Sequence, residues 1–168
     1  MKRQLITFAI CISASLASLA QDYDIATLPK TKEEFIKSEA TFVAAAKWLE
    51  RTPLGTDTDK RKKTAAWVTA WLINSPTVTV EMPGTLTKLF NKNPDLLIVF
   101  MAGYGRYCLE TEYSTDKIKG TVAGLKSAIN CYNLGGEVKK DKSLKNAIEA
   151  DKNGTLSDWV KQEVLNAK

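Results

Sequence analysis

Apolar residues in this chain recur mostly at helical spacing. Phe35, Ile36, Phe42, Val43, Ala46 and Leu49 lie close to a 3.6-residue period. Ahead of them, Thr31-Lys32-Glu33-Glu34 matches a capping box, in which the threonine hydroxyl accepts from a free amide while Glu34 reaches back. A helix is therefore predicted from about Thr31 to Arg51, stopped by Pro53 and Gly55. Asp57 and Asp59 open a second, whose inner part runs from Ala65 to Ile73 and which ends before Ser75-Pro76. Thr77-Val78-Thr79-Val80-Glu81-Met82 is the one strictly alternating stretch. No second run exists for it to pair with, so it predicts an extended crossing segment with Val78, Val80 and Met82 facing inward.

Beyond Pro83-Gly84, Leu86, Leu89 and Phe90 mark a short amphipathic helix. Asn93-Pro94-Asp95 is a start signal, with asparagine as cap and proline at the first helical position. The helix it opens reads Leu96 to Gly103 without a polar side chain and continues through Tyr113. With no face for water, it is expected at the centre of the fold. A fifth helix, about Lys117 to Asn133, carries Ile118, Val122, Leu125, Ile129 and Tyr132 and closes at Gly135-Gly136. Two shorter ones follow, the first with Leu144, Ala147 and Ile148, the last with Leu156, Trp159, Val160 and Val164. The fold class is all-α: an orthogonal array or bundle of about seven helices, with helical-repeat-like packing as a variant. A true tetratricopeptide array fails on spacing. Ala128-Ile129-Asn130-Cys131-Tyr132 has the flavour of that repeat's second helix, but Asp116 stands where a small residue about 12 positions earlier is required.

The first residues break the helical pattern in a different way. Met1-Lys2-Arg3-Gln4, an apolar stretch from Leu5 to Ala20 and the ending Ser18-Leu19-Ala20 have the order of an export signal cleaved after Ala20. The strongly apolar part, Leu5 to Ile12, is much shorter than the roughly 20 residues a spanning helix needs. One helical domain is expected from residue 21 to 168. Loss of Lys2 and Arg3 lowers the net charge from +5 to +3, too small an excess to argue for nucleic acid. The chain has no histidine, which excludes serine-histidine and cysteine-histidine nucleophile pairs and histidine metal sites.

Cysteine usage adds a geometric test. Cys11 leaves with the leader, and Cys108 and Cys131 remain in a compartment where disulfides form. If helices four and five make a hairpin turning near Thr115, Cys131 lies nine residues beyond the level of Cys108. That is an axial offset of about 13 Å, against the Cα separation below about 7 Å that a bridge needs. Two buried free thiols are expected.

Several motifs fail when spacing is checked. Gly103-Tyr104-Gly105 lies within a helix and lacks the strand and third glycine of a dinucleotide fingerprint. Its small residues, Ala102, Gly103 and Gly105, are expected to face Gly120, Ala123, Gly124, Ser127 and Ala128 so that the two helices approach closely. Asp151 to Asp158 imitates a calcium loop, but its glycine is fourth rather than sixth and its twelfth residue is Gln162. No metal and no cofactor are expected.

Two groups of residues remain as candidate sites. Arg106, one of three arginines after the leader, sits on the most apolar helix beside Tyr104, Tyr107 and Glu110. Such a guanidinium needs a partner, and either an internal Arg106–Glu110 pair or a pocket of Tyr104, Arg106, Tyr107 and Glu110 for an anionic or polar ligand supplies one. Lys60-Arg61-Lys62-Lys63 opens the second helix, where positive charge opposes the helix dipole. It reads as a solvated face or as a contact for an acidic partner, with Trp67 and Trp71 in the core behind it.

The leader, the lysine-rich helices and the absence of histidine together resemble the small uncharacterised exported proteins of Gram-negative bacteria, over the whole chain and without a diagnostic motif. That resemblance implies a periplasmic or secreted protein. The expected function is non-enzymatic: a binding or adaptor protein contacting another envelope protein through Lys60, Arg61, Lys62 and Lys63, or through Val78, Val80 and Met82 added to a partner's sheet edge. A ligand carrier with its pocket at Arg106 is the alternative, and an enzyme of unknown type the second alternative.

Overall fold

A computed structural model describes residue 25 and residues 27–165. It is an all-α bundle. The helices are α1 (Lys32–Arg51), α2 (Thr58–Asn74), α3 (Gly84–Thr87) running into a 3-10 turn (Lys88–Phe90), α4 (Asp95–Glu110), α5 (Lys117–Asn133), α6 (Lys145–Lys152) and α7 (Leu156–Leu165). The expected leader, residues 1–20, lies outside the described residues. Among them no helix is long and apolar enough to cross a membrane.

α1 starts as its sequence requires. Thr31 Oγ1 accepts from the Glu34 amide at 3.3 Å, and the Glu34 carboxylate accepts from the Thr31 amide at 3.3 Å and from that of Lys30 at 2.7 Å. Those amide bonds hold the Glu34 carboxyl below its ordinary pKa. α1 and α2 then pack along a seam of Phe35, Phe42 and Trp71, where the Phe42 and Trp71 rings are 4.3 Å apart and Trp71 Nε1 donates to Ser38 Oγ at 2.7 Å. Trp67 and Trp71 are both core residues. Residues 78–82 form neither helix nor strand and have no β-partner among the described residues, in line with the lack of a second alternating run. Val78 is buried, and Val80 and Met82 pack partly buried against the core.

Among the described helices, α4 and α5 share the most extensive contact. A Cβ added at Gly124 would stand 2.7 Å from the Phe100 carbonyl oxygen, one at Gly120 would enter the Tyr104 ring, and one at Gly103 would collide with Ser127. Small residues thus let the two backbones approach, as their pattern predicts. Gly105 is an exception: it faces Leu72 of α2 and Phe42 of α1 instead of α5, because α4 is surrounded and needs close approach on two sides. Cys108 and Cys131 are buried and free.

Three local details depart from expectation. α4 ends at Glu110 rather than Tyr113, because Glu112 and Tyr113 adopt left-handed φ values of 54° and 59° to turn the chain toward α5. Side chains hold that turn: Thr111 Oγ1 donates to the Tyr107 carbonyl at 2.6 Å, and Tyr113 Oη to Glu39 at 3.1 Å. Asn93 does not cap α4 with its side chain. The carboxamide, buried with its residue, donates to the Lys139 carbonyl at 2.9 Å and accepts from the Lys139 amide at 2.8 Å. Asp57, before α2, is left-handed and makes no side-chain cap.

Candidate functional site

Arg106 projects from α4 toward α1 and α5. Its Nη1 lies 2.9 Å from Glu50 Oε2, its Nη2 donates to Ser127 Oγ at 3.4 Å, and its Nε is 3.8 Å from Glu110 Oε2. Glu50 in turn accepts from Ser127 Oγ at 3.0 Å and from Asn130 Nδ2 at 2.9 Å, while Lys47 pairs with Glu110 at 2.8 Å. The side chains of Arg106 and Glu50 are only 19% and 13% exposed, so desolvation is offset by several charge-assisted bonds on each side. Glu110 contributes as expected, but the main partner is Glu50, 56 positions earlier in the chain.

The other members of this group do not converge on Arg106. Tyr104 is buried, with its ring over Gly120. Burial pushes its pKa up to about 12. Tyr107 Oη meets Ser114 Oγ at 3.2 Å. Each of the three side chains is occupied in a different direction, and the guanidinium faces carboxylates of its own chain rather than open space.

The basic cluster divides in the same manner. Arg61 is not part of a solvated face: it is buried, and its Nη2 donates to the Leu49 carbonyl at 3.1 Å and, more closely still, to that of Thr52. These carbonyls belong to the end of α1, where helical acceptors have no intrahelical donor. A guanidinium one helix away therefore closes α1. Arg61 lies 5.8 Å and Lys60 Nζ 5.3 Å from the Trp48 ring centroid. Lys62 and Lys63 are exposed. The alternating segment offers no row of apolar pegs to a partner, because Val78 is buried and Val80 and Met82 lean on the core.

An open groove instead follows the outer side of α2. About 700 Å3 is enclosed between α2 (Ala65, Ala66, Thr69, Ala70, Ile73) and the start of α4 with the loop after α5 (Asp95, Ile98, Glu137). That volume is within the range of ligand clefts. From Thr58 to Ile73 the α2 wall is about 22 Å long at 1.5 Å per residue. Ile73 is 77% exposed, whereas Trp67, Val68 and Trp71 on the inner stripe of the same helix are buried. Lys62 stands on the α2 rim, and Asp95 and Glu137 on the rim across from it. The signal for this groove was present in the second half of α2, Ala65 to Ile73, which is mostly apolar but carries its tryptophans on one stripe and its alanines on the other.

No cluster of three metal-ligating side chains occurs among the described residues. Burial raises the pKa of both thiols, keeping Cys108 and Cys131 as neutral, weak nucleophiles. No protein-family model, curated protein or solved structure matches this chain.

Proposed function

We propose that this chain is an exported binding or adaptor protein, without catalytic chemistry of its own, that seats an amphipathic helix of another envelope protein in the groove along α2. The carrying observation is the open, alanine-walled groove with Ile73 77% exposed at one end. An alanine wall lets a second helix axis approach to the near end of the usual 8–10 Å spacing, and 22 Å accommodates about four helical turns. Charge narrows the occupant. Lys62 on one rim and Asp95 with Glu137 on the other suit a helix whose apolar stripe has an acidic flank and a basic flank. The two acidic residues disfavour nucleic acid or an anionic membrane. Export rests on the order of charged, apolar and small residues from Met1 to Ala20. A ligand pocket at Arg106 is the weaker reading, since Glu50, Glu110 and Ser127 already engage that guanidinium.

A photo-crosslinking side chain placed at Thr69 tests this in envelope preparations of the source organism, with the same group at exposed Lys152 as a control. One protein should be captured from Thr69 and not from Lys152, through a peptide with an amphipathic helical pattern. Filling the groove by Ala66→Trp should abolish that adduct, and Lys62→Glu should weaken it. Equal capture at the two positions, adducts insensitive to Ala66→Trp, or adducts only to a second copy of this chain would overturn the proposal.

A further inference from the structure

A second, smaller cleft lies away from the groove, between the 81–83 segment and the first turns of α5. It encloses about 240 Å3 and is lined by Glu81, Met82, Pro83, Lys117 and Thr121. That is below the roughly 300–1,000 Å3 of clefts that take drug-sized ligands, so any occupant is compact. At its mouth Lys117 Nζ and Glu81 Oε2 are 2.5 Å apart, with side chains 58% and 51% exposed. Deeper, Thr121 is 1% exposed and its hydroxyl has no hydrogen-bond partner among the described residues. A buried polar atom left unpaired is unfavourable and calls for an explanation. Met82 and Pro83 supply an apolar wall.

We propose that this cleft binds a small zwitterion, a molecule of free amino acid size that carries one ammonium and one carboxylate. An ion pair so exposed to water is weak and can be opened at little cost. Its two halves match the two ends of a zwitterion: Glu81 takes the ammonium and Lys117 the carboxylate, exchanging one exposed pair for two that are partly shielded by Met82 and Pro83. A singly charged ligand would satisfy one side chain and strand the other. The Thr121 hydroxyl, which can donate or accept, gains the partner it lacks. The site is separate from the α2 groove, so loss of one leaves the other intact.

The test is an amide NMR titration of the purified protein with L-alanine and glycine betaine, alongside acetate and methylammonium at equal concentration. At least one zwitterion should move the Glu81, Lys117 and Thr121 resonances saturably, with Kd in the millimolar range or below. Acetate and methylammonium should bind at least about tenfold more weakly. Glu81→Gln and Thr121→Val should each weaken zwitterion binding by about tenfold while preserving the rest of the spectrum. Glu81 lies on the surface, so that variant decides the matter even if Thr121→Val disturbs folding. The proposal is overturned if no zwitterion moves these resonances, if acetate binds as well as L-alanine, or if Glu81→Gln binds like the unaltered protein.

Discussion

The α4–α5 seam and the outer wall of α2 use the same kind of residue to opposite ends. In the seam, Gly103, Gly120 and Gly124 meet Ser127, Tyr104 and Phe100, and the polar group beside them, Arg106, is closed onto Glu50. On the α2 wall, Ala65, Ala66, Thr69 and Ala70 border open space. Small side chains favour a close neighbour in both places. In the first the neighbour is another helix of this chain, and in the second no helix among the described residues fills the space. Arg106 and Arg61 are both held by acceptors that the fold provides, Arg106 within the seam and Arg61 at the end of α1, where it also lines the α2 groove.

The largest effect that would sharpen this comparison comes from Arg106. Arg106→Met leaves Glu50 mostly buried with only Ser127 and Asn130 as partners, and should lower unfolding stability by about 3 kcal/mol. Urea titration would measure it, and a loss under about 1 kcal/mol would mean that the pair is effectively at the surface.

Next is Tyr104. A phenol whose folded pKa is raised from 10.0 to about 12 favours the native state only while it keeps its proton. Its contribution is fully present below pH 10 and is lost as pH rises to about 12, amounting to about 2 kcal/mol. Chemical unfolding at pH 9 and pH 11.5 should therefore show a steeper alkaline loss for the unaltered protein than for Tyr104→Phe. Parallel loss in both would remove burial of Tyr104 as the cause.

The smallest effects test the two surfaces directly. Gly124→Ala should cost about 1–2 kcal/mol although alanine is the better helix former, because its Cβ meets the Phe100 backbone oxygen and the helices must separate. Ala66→Leu, facing the groove, should stay within about 0.5 kcal/mol of the parent in the same urea titration. Equal losses at the two positions would show that the α2 wall is already filled.

Much of the fold could be read from spacing. Periodic apolar residues located every helix, the Thr31–Glu34 box set the start of α1, the glycines of α4 and α5 announced a tight seam, and the two thiols are free and buried as expected. The illegible parts depended on partners distant in the chain. Arg106 could be seen to need a carboxylate, but its neighbour Glu110 was the visible choice, and Glu50 reaches it only once α1 crosses α4. Arg61 looked like one of four equivalent cations, and nothing local distinguishes the one that bends back to close α1. The end of α4 was hidden because Glu112 and Tyr113 turn left-handed without a glycine to mark it. Alternation placed Val78, Val80 and Met82 inward, as they are in the fold, which leaves little of them for the sheet-edge contact also considered for that segment.

Asn93 bears on the groove from a distance. Its carboxamide clasps Lys139 through both backbone groups, and the Glu137 amide donates to the Leu54 carbonyl at 2.8 Å beside the Leu54–Gly136 bridge. Two strand-like fastenings thus stitch an irregular loop to a helical body, and Glu137, on the acidic rim, sits between them. Hydrogen bonding adds to the packing of Val138 at this rim: loosening one carboxamide should leave the helices in place and let the rim drift, changing what the groove accepts before changing whether the protein folds.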